Sequence, residues 1–211
     1  MCGLAGYIGN KSINRRKIKT ILKIMNNRGP DNQNFLKFSF LKKNLYLFSS
    51  RLSIVDRFSR SNQPMSFEDL SISFNGEIYN IRELKKIIKS KKLPLKTKSD
   101  TEIILRMYQI YGYNCVKFFN GMWAFAIFDK KKNKLFLSRD RIGEKPLFYL
   151  KKKKEFYFGS QTSFIRKLAN DYNVINDKKI ISFLEYGYKS LGITNDTFFK
   201  DINILRPGQN L

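Results

Sequence analysis

The chain has 211 residues, enough for one substantial domain, and 42% of them are hydrophobic, including 19 Phe and 11 Tyr. That apolar content argues against a disordered tail. No run of about 18 apolar residues suggests a membrane span. With 41 Lys and Arg against 17 Asp and Glu, the net charge of +24 invites a nucleic-acid reading. However, the lysines are spread over nearly the whole chain. Their clusters, Lys89 with Lys91-Lys92, Lys130 to Lys132 and Lys151 to Lys154, lie between apolar runs. No recognition-helix or zinc-finger pattern accompanies them, so solvated loops are expected, with no specific nucleic-acid partner and no membrane.

Two cysteines, Cys2 and Cys115, make no disulfide framework. No charged leader precedes an apolar stretch at Met1-Cys2-Gly3-Leu4, so a cytoplasmic location is expected. The absence of histidine removes Cys-His and Ser-His-Asp catalysis built within this chain. It also removes His-ligated zinc, and two thiols cannot form a four-thiolate site, so no metal is expected.

Residues 4–8 are expected to form a strand. Ile18, Ile21, Leu22 and Met25 recur at helical spacing, predicting a helix that stops before Arg28-Gly29-Pro30. Residues 35–40 and 45–49 flank Lys42-Lys43-Asn44 as a hairpin. Ile72-Ser-Phe74 reads as a strand running into an Asn75-Gly76 turn. Ile81, Leu84, Ile87 and Ile88 mark a helix ending by Pro94. Ser99-Asp-Thr-Glu102 has the capping-box pattern and opens a helix through Tyr111, closed by Gly112. Strands follow over 122–128, 134–138, 147–150 and 155–159, then helices near 162–170 and 177–186. The 122–128 run is too apolar for a solvent-facing strand, and Trp123 is expected to pack in the core. Antiparallel strand groups with helices collected around them predict an α+β layered fold.

Cys2 is the sharpest chemical feature. Removal of Met1 would give it a free α-amino group with an unperturbed pKa of about 7.7–8.0, suited to general-base work. One residue then carries nucleophile and base together. Taken alone, Cys2 is a chance cysteine, and Asn75-Gly76 an ordinary turn.

The ordered motifs around them change that balance. They are Met1-Cys2-Gly3-Leu4-Ala5-Gly6-Tyr7, Arg28-Gly29-Pro30-Asp31, Arg51-Leu-Ser-Ile-Val-Asp56, Gln63-Pro64 and Phe74-Asn-Gly-Glu-Ile-Tyr-Asn80. Ser99-Asp-Thr-Glu-Ile-Ile104, Gly121 to Asp129, Ser138 to Leu147 and Leu205-Arg-Pro-Gly208 complete the set. Together they resemble the class II glutamine amidotransferase domain, most closely that of glutamine-hydrolysing asparagine synthetases, over essentially the whole chain.

The resemblance implies an αββα sandwich with the N-terminal-nucleophile hydrolase fold, and one glutaminase domain over residues 1–211. Cys2 would attack L-glutamine, with the Asn75 side chain and the Gly76 N–H as oxyanion hole. Arg51 would clamp the substrate α-carboxylate and Asp100 its α-ammonium. Ile54, Val55 and Glu77 would complete the binding pocket. No cofactor is implied for this domain. ATP and Mg2+ would belong to a synthetase domain, in cis or in trans, toward which about the last 20 residues lead. A homodimer, another ammonia acceptor and a non-catalytic basic binding module remain open. Two departures from the family pattern are Ser50, where a histidine is common, and Gln161, where an acid is common.

Overall fold

In this computed structural model, residues 2–54, 56–188 and 194–211 are described. In chain order the elements are β1 (Gly3–Gly9), α1 (Arg15–Met25), β2 (Asn32–Phe40), β3 (Lys43–Arg51), β4 (Met65–Phe67) and β5 (Leu70–Ile78). Next come α2 (Ile81–Ser90), α3 (Asp100–Tyr111), β6 (Gly121–Asp129), β7 (Lys134–Arg139), β8 (Phe148–Lys151) and β9 (Phe156–Gly159). The last are α4 (Thr162–Leu168), α5 (Asp177–Tyr186) and β10 (Ile202–Ile204). The strands form a six-stranded sheet, ordered β10-β8-β9-β1-β3-β2, and a four-stranded sheet, ordered β4-β5-β6-β7. Both are antiparallel throughout.

Side-chain alternation turns these two sheets into four layers. Leu4 and Ile8 of β1, Leu45 and Leu47 of β3, and Ala124, Ala126 and Phe128 of β6 share one buried cluster between the sheets. The intervening residues face outward onto helices. Ala5, Tyr7, Tyr46 and Phe48 pack with Ile21 and Met25 of α1 and with Phe164 and Ile165 of α4. Trp123, Phe125 and Ile127 pack with Leu84 and Ile88 of α2 and with Ile103, Ile104 and Met107 of α3. The result is the expected αββα sandwich. Trp123 is 2% exposed and donates its indole N–H to Ser138 Oγ at 2.9 Å, so it is a core residue.

Four local expectations change. The strand expected to turn at Asn75-Gly76 continues through both residues to Ile78, because β6 pairs with it from Asp129 to Gly121. The β2–β3 turn lies at Leu41-Lys42, both with positive φ, one step earlier than expected. Strands β4 and β10, three residues each, were not anticipated. The capping box of α3 is half formed: Ser99 Oγ accepts from the Thr101 N–H at 3.1 Å. Glu102 instead accepts from the N–H groups of Lys96 and Thr97 at 2.6–3.0 Å and pairs with Arg106 at 3.5 Å.

The inter-sheet layer is closed most tightly at Gly6, where a Cβ would stand 2.0 Å from the Phe158 ring. Gly6→Ala is therefore expected to cost about 1–3 kcal/mol of stability by overpacking. Gly6→Ala/Phe158→Leu should recover part of that loss. Urea unfolding monitored by circular dichroism checks this, and an unchanged midpoint for Gly6→Ala would contradict the packing.

Candidate active site

The free edge of β5 organises the site. Residues facing one another in an antiparallel pair alternate between exchanging both backbone bonds and exchanging neither. Trp123, opposite Gly76, gives its C=O to the Asp140 N–H at 2.8 Å and its own N–H to Asp140 Oδ2 at 3.2 Å. Trp123 is thus turned toward β7, and Gly76 directs its N–H away from β6. The neighbours of the same parity agree. The Phe74 N–H donates to Gln63 Oε1 at 2.7 Å and the Ile78 N–H to Asp100 Oδ2 at 3.4 Å. Strand β4 covers only residues 70–72 on that side, so among the described residues no strand pairs with the edge at Gly76.

Gly76 itself is required by close approach: a Cβ there would lie 2.2 Å from the Met122 carbonyl oxygen. Next to it, Asn75 is 1% exposed, and its amide nitrogen has no partner among the described residues. A buried donor without a partner costs about 1–3 kcal/mol, so such a group calls for an explanation in its surroundings. Asn75 and Gly76 line a pocket of about 130 Å3 together with Cys2, Arg51, Ile54, Glu77 and Asp100.

Cys2 stands just ahead of β1, whose first residue pairs with Ser50 at the end of β3. The Leu52 N–H points at Cys2 Sγ, 3.4 Å away, and Arg28 Nε donates to the Cys2 carbonyl at 2.9 Å. Burial raises the Cys2 thiol pKa above its ordinary value, while the Leu52 N–H and the Arg51 charge oppose that rise. The Arg28-Gly29-Pro30-Asp31 segment is accordingly more than a helix stop. The Asp31 N–H donates to the Arg51 carbonyl at 3.1 Å, and Asp31 Oδ2 accepts from the Ser53 N–H at 2.6 Å.

Arg51 is 4% exposed. Its guanidinium donates to Asn62 Oδ1 at 3.0 Å, to the Phe58 carbonyl at 3.4 Å and to the Asp56 carbonyl. Asp56 Oδ2 in turn accepts from the Lys98 N–H at 2.7 Å. Two residues on, Asp100 opens α3. A continuous set of bonds thus ties Arg51 on one wall of the pocket to Asp100 on the other. Burial lifts the Asp100 carboxyl to about 6, and Glu77 nearby pushes in the same direction. Ile54 is 72% exposed at the rim of the pocket. Val55 falls outside the described residues.

Sequence reasoning did not single out Leu52, Gln63, Thr101 or Lys145, all of which border the pocket. Lys145 is presented by an organised loop. Asp140 accepts from the N–H groups of Ile142, Gly143, Glu144 and Lys145 at 2.6–3.1 Å. Arg139 Nε donates to the Lys145 carbonyl at 2.8 Å. These residues formed a recognisable sequence motif, but a solvated turn would have looked the same. Ser50 is buried, and its hydroxyl has no partner among the described residues.

The fold is shared with solved amidotransferases. Glutamine phosphoribosylpyrophosphate amidotransferase from B. subtilis matches with a TM-score of 0.64 at 17% identity, over 80% of this chain and 44% of that one. This is the N-terminal-nucleophile hydrolase fold. A family model described as a glutamine amidotransferase domain matches residues 1–211. The putative glutamine-hydrolysing asparagine synthetase 2 of Methanocaldococcus jannaschii is 37% identical over 89% of this chain. The glutamine-hydrolysing asparagine synthetase 3 of Bacillus subtilis is 32% identical over all of it. The chain spans 40% and 34% of the lengths of these two relatives. It belongs to the glutamine amidotransferase domain family.

Because burial raises the Asp100 pKa from 3.8 to about 6, the folded state holds that proton more tightly than the unfolded chain does. The stability linked to Asp100 is therefore fully present below about pH 4 and is lost as pH rises through about 6. Asp100→Asn is expected to match the unmodified chain in urea midpoint at low pH and to exceed it above pH 6. A difference that does not grow across this window would contradict the environment assigned to Asp100.

Proposed function

We propose that this chain hydrolyses L-glutamine to glutamate and ammonia, with Cys2 as nucleophile. The observation that carries this reading is the pair of donors at one edge of β5. The orphaned Asn75 amide and the outward Gly76 N–H border the same pocket as the Cys2 thiol. An anionic oxygen formed there would be met by two preorganised donors, the arrangement that lowers acyl-transfer barriers.

The raised thiol pKa makes a base necessary, and the chain has no histidine. After Met1 is removed, the α-amine of Cys2 takes the thiol proton as sulfur bonds to the side-chain carboxamide carbon. The oxyanion collapses, the C–N bond breaks, and the amine returns the proton to the departing nitrogen as ammonia. Water then attacks the γ-glutamyl thioester with the same amine as base, and thiol and glutamate are released. Arg51 would hold the substrate α-carboxylate, and ionised Asp100 its α-ammonium, with Glu77, Ile54 and Val55 around them.

The names of the relatives extend the proposal to the fate of the ammonia. It would be consumed in an ATP-dependent amidation of aspartate by a synthetase, joined in cis or met in trans, where ATP and Mg2+ would bind. No step within this chain uses them. A homodimer and a cytoplasmic location fit the same reading, and no helix among the described residues is long and apolar enough to cross a membrane.

Cys2→Ala is expected to abolish glutamate release with the fold retained. Cys115→Ala should leave hydrolysis near the unmodified rate, since burial pushes that thiol up to about 12 and it lies in the α2/α3 cluster. Arg51→Lys should raise KM for glutamine by an amount equivalent to about 1–3 kcal/mol, because a single ammonium replaces a two-pronged donor. A coupled glutamate assay on the three variants checks all of this. Equal loss in both cysteine variants would identify the wrong thiol.

A further inference from the structure

Gln63 belongs to a sequence motif that the proposed chemistry does not use, yet its side chain is one of the most constrained near the pocket. It is 4% exposed. Its Oε1 accepts from the Phe74 N–H at 2.7 Å, and its Nε2 donates to Thr101 Oγ1 at 3.1 Å. Phe74 directly precedes Asn75 on β5, and Thr101 directly follows Asp100 on α3. One carboxamide thus joins the strand carrying the two oxyanion donors to the helix carrying the acid proposed for the substrate ammonium.

The placement along β5 sharpens this. Its outward N–H groups fall at Phe74, Gly76 and Ile78. Gln63 occupies the first, Asp100 occupies the third, and the one between them is the proposed oxyanion donor. We infer that Gln63, acting through Thr101, is a positioning residue: it fixes the spacing between the oxyanion donors and Asp100, so that a substrate held at its α-ammonium has its carboxamide carbon aligned on Cys2. Asp100 alone ties the strand and helix only through a 3.4 Å contact, and binding the substrate ammonium would compete for that same carboxylate. The Gln63 bridge involves neither the substrate nor a charge and therefore persists when the pocket fills. Displacing a reacting group by about 1 Å can cost about a hundredfold in rate.

The inference rests on the glutaminase reading. Its test uses the full chain trimmed to begin at Cys2, with Gln63→Met, Thr101→Val and Thr101→Ser variants. Thr101→Val cuts only the arm to α3 and keeps the Phe74 bond, so it guards against misfolding in Gln63→Met. Glutamine turnover is measured per folded molecule, with the folded fraction taken from circular dichroism at the assay temperature. Thr101→Val and Gln63→Met are expected to lose about tenfold to a hundredfold in kcat with KM within about threefold. Thr101→Ser, which restores the hydroxyl, should recover most of that loss. A Thr101→Val kcat per folded molecule at the unmodified level, or a loss confined to KM, overturns the inference. If the unmodified trimmed chain releases no glutamate, the functional reading itself fails, and that result is distinct from either.

Discussion

An antiparallel strand offers its N–H groups alternately to its two sides, and among the described residues β5 has a neighbouring strand on only one side of its second half. Asn75, Glu77 and Tyr79 therefore face the ladder, while Phe74, Gly76 and Ile78 face outward. A buried N–H must find a partner. Gln63 and Asp100 supply two, and the remaining donor faces the pocket that holds Cys2. Much of the site follows from this constraint. It places a glycine where the β6 backbone leaves no room for a Cβ, and an acid at the start of α3 where it reaches Ile78.

The sandwich is what holds that edge against Cys2. Cys2 immediately precedes β1, an inner strand of one sheet, while Asn75 and Gly76 lie in the other, so the facing layers bring the thiol and the donors together. Small residues at the interface, Gly6 on β1 and Ala124 and Ala126 on β6, let the large Phe158 and Phe128 fill the layer. Around the pocket, polar bonds take over from packing. The Arg51–Asp56–Lys98 series and the Asp140 loop fix three walls through backbone groups. The pocket sets two cations, Arg51 and Lys145, against two carboxylates, Glu77 and Asp100, so the excess positive charge of the chain lies elsewhere.

Period-two and helical patterns made most elements legible, and the layer order follows from the alternation in β1, β3 and β6. The residues proposed for catalysis were legible through ordered motifs, because the chemistry needs particular side chains at fixed places. What the sequence hid is instructive. Asn75-Gly76 has the composition of a turn, but nine residues of pairing with β6 outweigh local turn preference. Strands of three residues, such as β4 and β10, are too short to carry a period. Glu102 could have closed a capping box, but the N–H groups of Lys96 and Thr97 compete for it and win. Gln63 and Lys145 could not be placed, because their roles depend on bonds to residues 11 to 38 positions away or on a loop shape set by Asp140.

In the proposed chemistry the chain terminus itself supplies the base. The most direct measurement compares one protein in two forms, extended before Cys2 and trimmed to begin at Cys2, with each terminus verified by mass spectrometry. Extension converts the α-amine to an amide, which cannot take the thiol proton at neutral pH. Glutamine hydrolysis by the extended form is then expected to fall by about 10²–10⁴-fold, the scale of a lost general base. Equal rates in the two forms would contradict the account.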